Sequence, residues 1–201
     1  MDEYWKKNRW LIFYTLTWVY LLMETGIIFG RLSSFITVYR VYKLLIWPEA
    51  ILGLLVVVSL AQVMQYFLEW PRVVAGVYLY AFTNFIIVTL AIGRLSATAI
   101  GTISLLPLLY FIICLFRVRA PEISFLFKWI AILEMLTIGL NILFNSMNIV
   151  AGFHFELLPH LARLSPYVLI LVVLTKMMHM PPVYVTALEK DIDSIGKTIG
   201  E

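Results

Sequence analysis

The sequence predicts an all-α integral membrane bundle of six transmembrane helices, and three observations carry that prediction. Six long apolar stretches, separated by short charged connectors, account for almost all of the 201 residues. Hydrophobic residues make up 62% of the chain and charged ones 13%, too few polar side chains to cover a soluble domain of this length. Crossing a hydrocarbon core takes about 20 apolar residues of helix, which most of the six stretches supply. Backbone groups in lipid must be paired within their own segment, which selects helix over isolated strand.

The expected spans are 10–30, 44–68, 73–93, 100–118, 125–153 and 157–180. The first follows Lys6, Lys7 and Arg9 but is longer than the apolar region of a signal peptide. It runs into Gly30, Arg31 and Leu32 without a small-residue cleavage site, so it is retained. The second ends before Pro71, the fifth follows Pro121, and the sixth stops at Pro181 and Pro182. Pro107 and Pro166 fall inside the fourth and sixth spans, where bends are expected. The first connector, 31–43, mixes Arg31, Arg40 and Lys43 with Phe35, Ile36, Val38, Tyr39, Val41 and Tyr42. It reads either as an interfacial amphipathic segment or as a continuation of the neighbouring helices.

Residues 1–180 thus form one transmembrane domain, and 181–201 a short polar tail. In the tail, Leu188, Ile192, Ile195 and Ile199 step by 4, 3 and 4, a two-turn a/d seam. It suits docking on a partner, pairing with its own copy in a second chain, or skimming the membrane surface.

Basic residues set the expected orientation. Lys6, Lys7, Arg9, Arg72, Arg117, Arg119, Lys128, Lys176, Lys190 and Lys197 fall on the side of the termini, and Arg31, Arg40, Lys43, Arg94 and Arg163 on the other. Ten against five places both termini in the cytoplasm, in a plasma (inner) membrane. The net charge of +3 is scattered among connectors and forms no phosphate-tracking face, which argues against nucleic acid as a partner. Gly30-Arg31-Leu32-Ser33, Gly93-Arg94-Leu95-Ser96 and Ala162-Arg163-Leu164-Ser165 recur in one relative place. They can be read as marking three tandem helical hairpins, or as chance matches.

Polar side chains at membrane depth need partners. Glu134, Asn141, Asn145 and Asn148 are spaced 7, 4 and 3 apart and share one stripe of the fifth helix. That stripe reads either as interhelical hydrogen bonding or as the wall of a ligand or ion site. Gln62 and Gln65 of helix two and Asn84 of helix three are expected near it, with Glu69 solvated at the interface. Lys176 either snorkels to the interface or pairs with Glu134. Glu24 and Glu49 are expected to be neutralised by Arg31 and Arg94.

The three histidines, His154, His160 and His179, do not face one another as paired ligands would, and Cys114 lies in an apolar run, so neither metal nor cofactor is expected. No phosphate loop, H-E-x-x-H or nucleophile elbow occurs. The sequence therefore points to a non-catalytic sensing or transport component of a larger membrane assembly. Its ligand site would draw on Glu134, Asn141, Asn145, Asn148, Gln65, Asn84 and Lys176, and its partners would be the bilayer, other membrane subunits or a second copy held through the tail. An intramembrane lipid-modifying enzyme would instead use Glu24 or Glu49 with Arg31 and Arg94 at a lipid-facing cleft. A purely structural subunit would have no polar cavity.

Overall fold

The computed structural model describes the backbone of residues 2–32, 36–91, 97–151 and 157–179, and side chains over 8–28, 45, 47–89, 103–144 and 161–179. These residues form six α-helices and no strand: α1 (Asp2–Leu32), α2 (Ile36–Tyr66), α3 (Pro71–Ala91), α4 (Ala97–Phe116), α5 (Pro121–Ala151) and α6 (Leu157–His179). Five contain apolar segments long enough to cross a membrane, namely Asn8–Ile28, Trp47–Tyr66, Pro71–Thr89, Pro121–Phe144 and Leu161–His179. The described apolar part of α4 is Ile103–Phe116. The chain is a helical membrane bundle.

Several helices outrun the apolar spans. α1 starts at Asp2 rather than Trp10, because nothing in Asp2–Asn8 breaks a helix. α2 starts at Ile36, so residues 36–43 continue that helix. Pro48, Pro107 and Pro166 all lie inside helices, where each removes one backbone donor. Residues 33–35, 92–96, 152–156 and the tail 180–201 lie outside the described residues, and with them Ser33 of the first Arg-Leu-Ser segment, all of the second, His154 and the a/d seam.

Each helix packs on its neighbours in the chain, and α6 packs on α1, so the six close into a ring. The half of the ring nearest the termini is filled and dry. Leu60, Val63 and Met64 of α2, Val77 of α3, Leu115 of α4, Ile123, Phe127 and Ile130 of α5, and Val173 and Leu174 of α6 are all 0% exposed. The outer faces are apolar as well: Leu22, Leu79, Leu106, Phe125 and Leu136 are exposed, as a surface solvated by acyl chains requires.

Two tight connectors lock the termini end. α2 finishes in a Schellman turn, in which the Leu68 N–H donates to the Gln65 carbonyl and the Glu69 N–H to that of Met64. Leu68 takes the left-handed conformation usual for glycine there, at φ 52°. The turn swings Glu69 under the bundle, where one carboxylate oxygen accepts the Arg119 and Ala120 N–H groups at 2.7 and 2.6 Å. Those amides precede the start of α5, so the carboxylate meets orphan donors and the positive end of the helix dipole. Glu69 is therefore buried, 8% exposed, and not solvated as its place near the interface suggests.

α3 and α4 approach most closely at Gly76. A Cβ built there would overlap the Cys114 sulfur and lie 2.9 Å from the Tyr110 ring, the small-residue contact common between membrane helices. Gly76→Val should therefore lower stability by about 1–3 kcal/mol through overpacking. Gly139→Ala, with nothing within 4 Å of the new Cβ, should be neutral or slightly stabilising. Unfolding of both variants in mixed micelles checks the contrast, and equal effects would contradict the close approach.

Candidate functional site

The half of the ring away from the termini is built differently. Arg163 enters from the second turn of α6. Its guanidinium lies 3.3 Å from Glu24 of α1 and 3.9 Å from Glu49 of α2. Helices α2 and α6 are not neighbours in the ring, so a contact between them runs through its interior. Tyr20, one turn before Glu24 on the same face of α1, donates its hydroxyl to the Glu24 carboxylate at 2.9 Å. Tyr167, one turn after Arg163, places its hydroxyl 3.4 Å from that of Tyr20, with ring centroids 4.7 Å apart.

Glu134 and Tyr80 join from the opposite wall. Tyr80 of α3 lies within electrostatic range of Glu134 of α5 and of Tyr167 and Arg163 of α6. Tyr80 is held by stacking on Phe111 of α4 at 4.4 Å and 16° between planes. Glu134 lies within reach of the Arg163 charge. It makes no hydrogen bond or ion pair with any described residue. All six helices thus contribute to one wall, five of them through polar or charged side chains and α4 through Phe111.

The polar groups at this end are not packed shut. The Arg163 side chain, inside the ring, is 48% accessible, whereas that of Glu24 is 4%. Glu134, Tyr80 and Tyr167 are half-buried too, although they face one another across the interior. Close-packed side chains in a filled core leave no such access.

The residues expected at the site divide in two. Asn141 lies two turns beyond Glu134 on the same face of α5 and is exposed; its amide donates to the Thr137 carbonyl of its own helix at 3.0 Å. Thr137 between them donates to the Ala162 carbonyl of α6, which seats α5 on α6 beside Arg163. Asn84 is half-buried one turn beyond Tyr80 and hydrogen-bonds to no described residue. The side chains of Asn145 and Asn148 lie outside the described residues.

Gln65 and Lys176 are placed elsewhere. Gln62 donates to the Tyr78 hydroxyl at 2.6 Å, which donates to Gln65 at 3.3 Å. Tyr78 is two residues, about 200° of helical rotation, from Tyr80, so this network faces outward from α3. Lys176, at the termini end, donates to the Glu122 carbonyl. The partner described for Glu24 and Glu49 is Arg163; Arg31 and Arg94, expected in that role, lie outside the described side chains.

Sequence reasoning treated Arg163 as an orientation marker and passed over Tyr20, Tyr80 and Tyr167. The available signal was a set of polar pairs four residues apart at similar depth: Tyr20 with Glu24, Tyr80 with Asn84, Arg163 with Tyr167. Among the described residues no group of three His, Cys, Asp or Glu could hold a metal ion, and His179 bonds the Thr175 carbonyl of its own helix. Comparison with protein-family models, curated proteins and solved structures finds no match for this chain.

Removing Arg163 takes the described counter-charge from buried Glu24, so Arg163→Gln should cost about 2–4 kcal/mol, below the roughly 3–5 of a fully buried pair because the guanidinium is part-exposed. Adding Glu24→Gln to that variant should cost less than Glu24→Gln alone, giving a coupling of about 1–3 kcal/mol in a double-mutant cycle. Strict additivity would mean that the two groups do not share one site.

Proposed function

We propose that this protein binds a small cation inside its helical ring, as the sensing or transport component of a membrane assembly. The observation that carries this reading is Glu134: a carboxylate midway along a membrane-spanning helix, half-buried within range of the Arg163 charge, and paired with no described residue. A carboxylate out of bulk water needs a hydrogen-bonded or charged partner. Charged groups retained at membrane depth mark solute or ion sites. Such a group has no use in a purely structural subunit.

The charge balance selects the sign of the ligand. Among the described residues, Glu24, Glu49 and Glu134 face one guanidinium, that of Arg163. An excess of carboxylates within low-dielectric walls raises the local concentration of cations and repels anions. Arg163 already engages Glu24 and Glu49, which leaves Glu134 as the open anchor. The oxygens within electrostatic range of it, those of Tyr80 and Tyr167, are hard like its own, and suit an alkali ion or an ammonium group better than a soft metal. The tyrosine rings favour an organic ammonium further through their π faces.

The dry plug below Glu134 would stop a solute from passing straight through, as a receptor or the closed half of a carrier requires. The Lys and Arg count supports a plasma (inner) membrane with both termini cytoplasmic, so that the cation arrives from the opposite side. The polar tail is then free to contact a cytoplasmic partner or a second copy.

Titration of nanodisc-embedded protein with sodium, potassium, methylammonium and choline chlorides, followed by tryptophan fluorescence, tests the reading. At least one cation should bind saturably, and Glu134→Gln should weaken it by at least roughly 20-fold, as loss of an enclosed charge partner does. The ligand-free variant should melt no lower than the parent. Equal binding by Glu134→Gln, or response to none of the four, would overturn the proposal.

A further inference from the structure

A polar hollow lies on the other end of the bundle and belongs to none of the chemistry above. It has a volume of about 560 Å³ and is lined by Trp70, Phe116, Arg117, Arg119, Ser124 and Lys128. These residues come from the end of α4, the two short connectors and the first two turns of α5, where the apolar segments Ile103–Phe116, Pro71–Thr89 and Pro121–Phe144 begin or end. The hollow therefore sits at headgroup depth. Trp70, Phe116, Phe125 and Trp129 around it are all exposed, in the manner of aromatic side chains at a membrane–water boundary.

Its charge is one-sided. Arg117, Arg119 and Lys128 line it, and no acidic side chain does. The neighbouring carboxylate, Glu69, is turned to the backbone amides of Arg119 and Ala120. The Arg119 guanidinium is laid over the Trp70 ring at 3.8 Å, which holds that wall in place. Arg117 and Lys128 have no ion-pair partner among the described residues. Two unengaged cations beside a serine hydroxyl, opening at the level of lipid phosphates, form a receptor for a phosphate group.

We infer that this hollow binds the phosphate of an anionic phospholipid, with Arg117 and Lys128 on its oxygens and Ser124 as a further donor. The acyl chains would lie along the exposed apolar face of α5 at Phe125 and Trp129. Basic pockets between membrane helices take anionic headgroups in this way. A soluble phosphate would find the same cations but would leave the aromatic rim unused. The site also bears on the fold, since a lipid bridging Arg117 and Lys128 would tie the end of α4 to the start of α5 beside the Glu69 clasp.

Melting of the purified full chain in a neutral detergent tests this, with added phosphatidylglycerol, phosphatidylcholine or inorganic phosphate. Phosphatidylglycerol should raise the melting midpoint by several degrees, and the other two should not. In the double variant Arg117→Gln/Lys128→Gln the phosphatidylglycerol affinity should fall about 30-fold, each basic residue near a headgroup contributing about fivefold, with the lipid-free midpoint unchanged. Should that variant fail to fold, Lys128→Gln alone, on an exposed position of α5, should lose about fivefold. An undiminished response in the variants, or equal stabilisation by phosphatidylcholine, would overturn the inference. Stabilisation by inorganic phosphate at the same concentration would overturn the lipid assignment.

Discussion

A guanidinium placed between carboxylates inside a ring of membrane helices organises the whole of one end of this protein. Arg163 could not stand alone in hydrocarbon, nor could Glu24 or Glu49. Brought together, they draw α6 onto α1 and reach across to α2. Tyr20 completes the arrangement by donating to Glu24, with the Tyr167 hydroxyl beside its own. Every polar group of the interior is then measured against this cluster. Glu24 is satisfied by it, and Tyr80 and Glu134 feel it from the far wall. Of Glu24, Glu49 and Glu134, only Glu134 has no hydrogen bond or ion pair with a described residue, which makes it the group with capacity to spare.

The two ends of the bundle solve different problems. Near the termini, close packing of Leu60, Phe127, Leu174 and their neighbours leaves no space, and Glu69 clasps two connectors with a single oxygen. Hydrogen bonds from backbone amides to a carboxylate contribute about 1.5–3 kcal/mol each, and here they fix the start of α5, the helix that carries Glu134. The stiff end thereby sets the register of the polar end. A change at Gly76 or Glu69 should consequently be felt at Glu134 without touching it.

How much of this was legible in the sequence follows from the solvent. Lipid demands long apolar helices, so six spans could be read from composition and length alone. The helix ends could not, because Asp2–Asn8 and residues 36–43 continue helices beyond the apolar stretch with no breaker to stop them. Pro48 fails to interrupt α2 in the same way. The spacing of Glu134 to Asn141 leads to the expectation of an inward stripe, but Asn141 is exposed and bonds its own helix. The companions of Glu134 were not legible, because they lie 29 to 54 positions away along the chain (Arg163 and Tyr80) on other helices, and no periodicity within one helix reports which neighbour it meets. Gln65 and Lys176 share the polar character expected of the site but point elsewhere, one bonded to Tyr78 and the other to the start of α5.

The central claim is that Glu134 faces an aqueous space enclosed by the ring, and accessibility measures it most directly. In a background with Cys114 replaced, single cysteines at Glu134, at lipid-facing Leu136 and at packed Leu60 would be exposed in sealed vesicles to a charged, membrane-impermeant thiol reagent. The account predicts rapid modification at position 134 from one side of the membrane only, and none at 136 or 60. Protection at 134 from both sides, or reaction at 134 no faster than at 136, would contradict it.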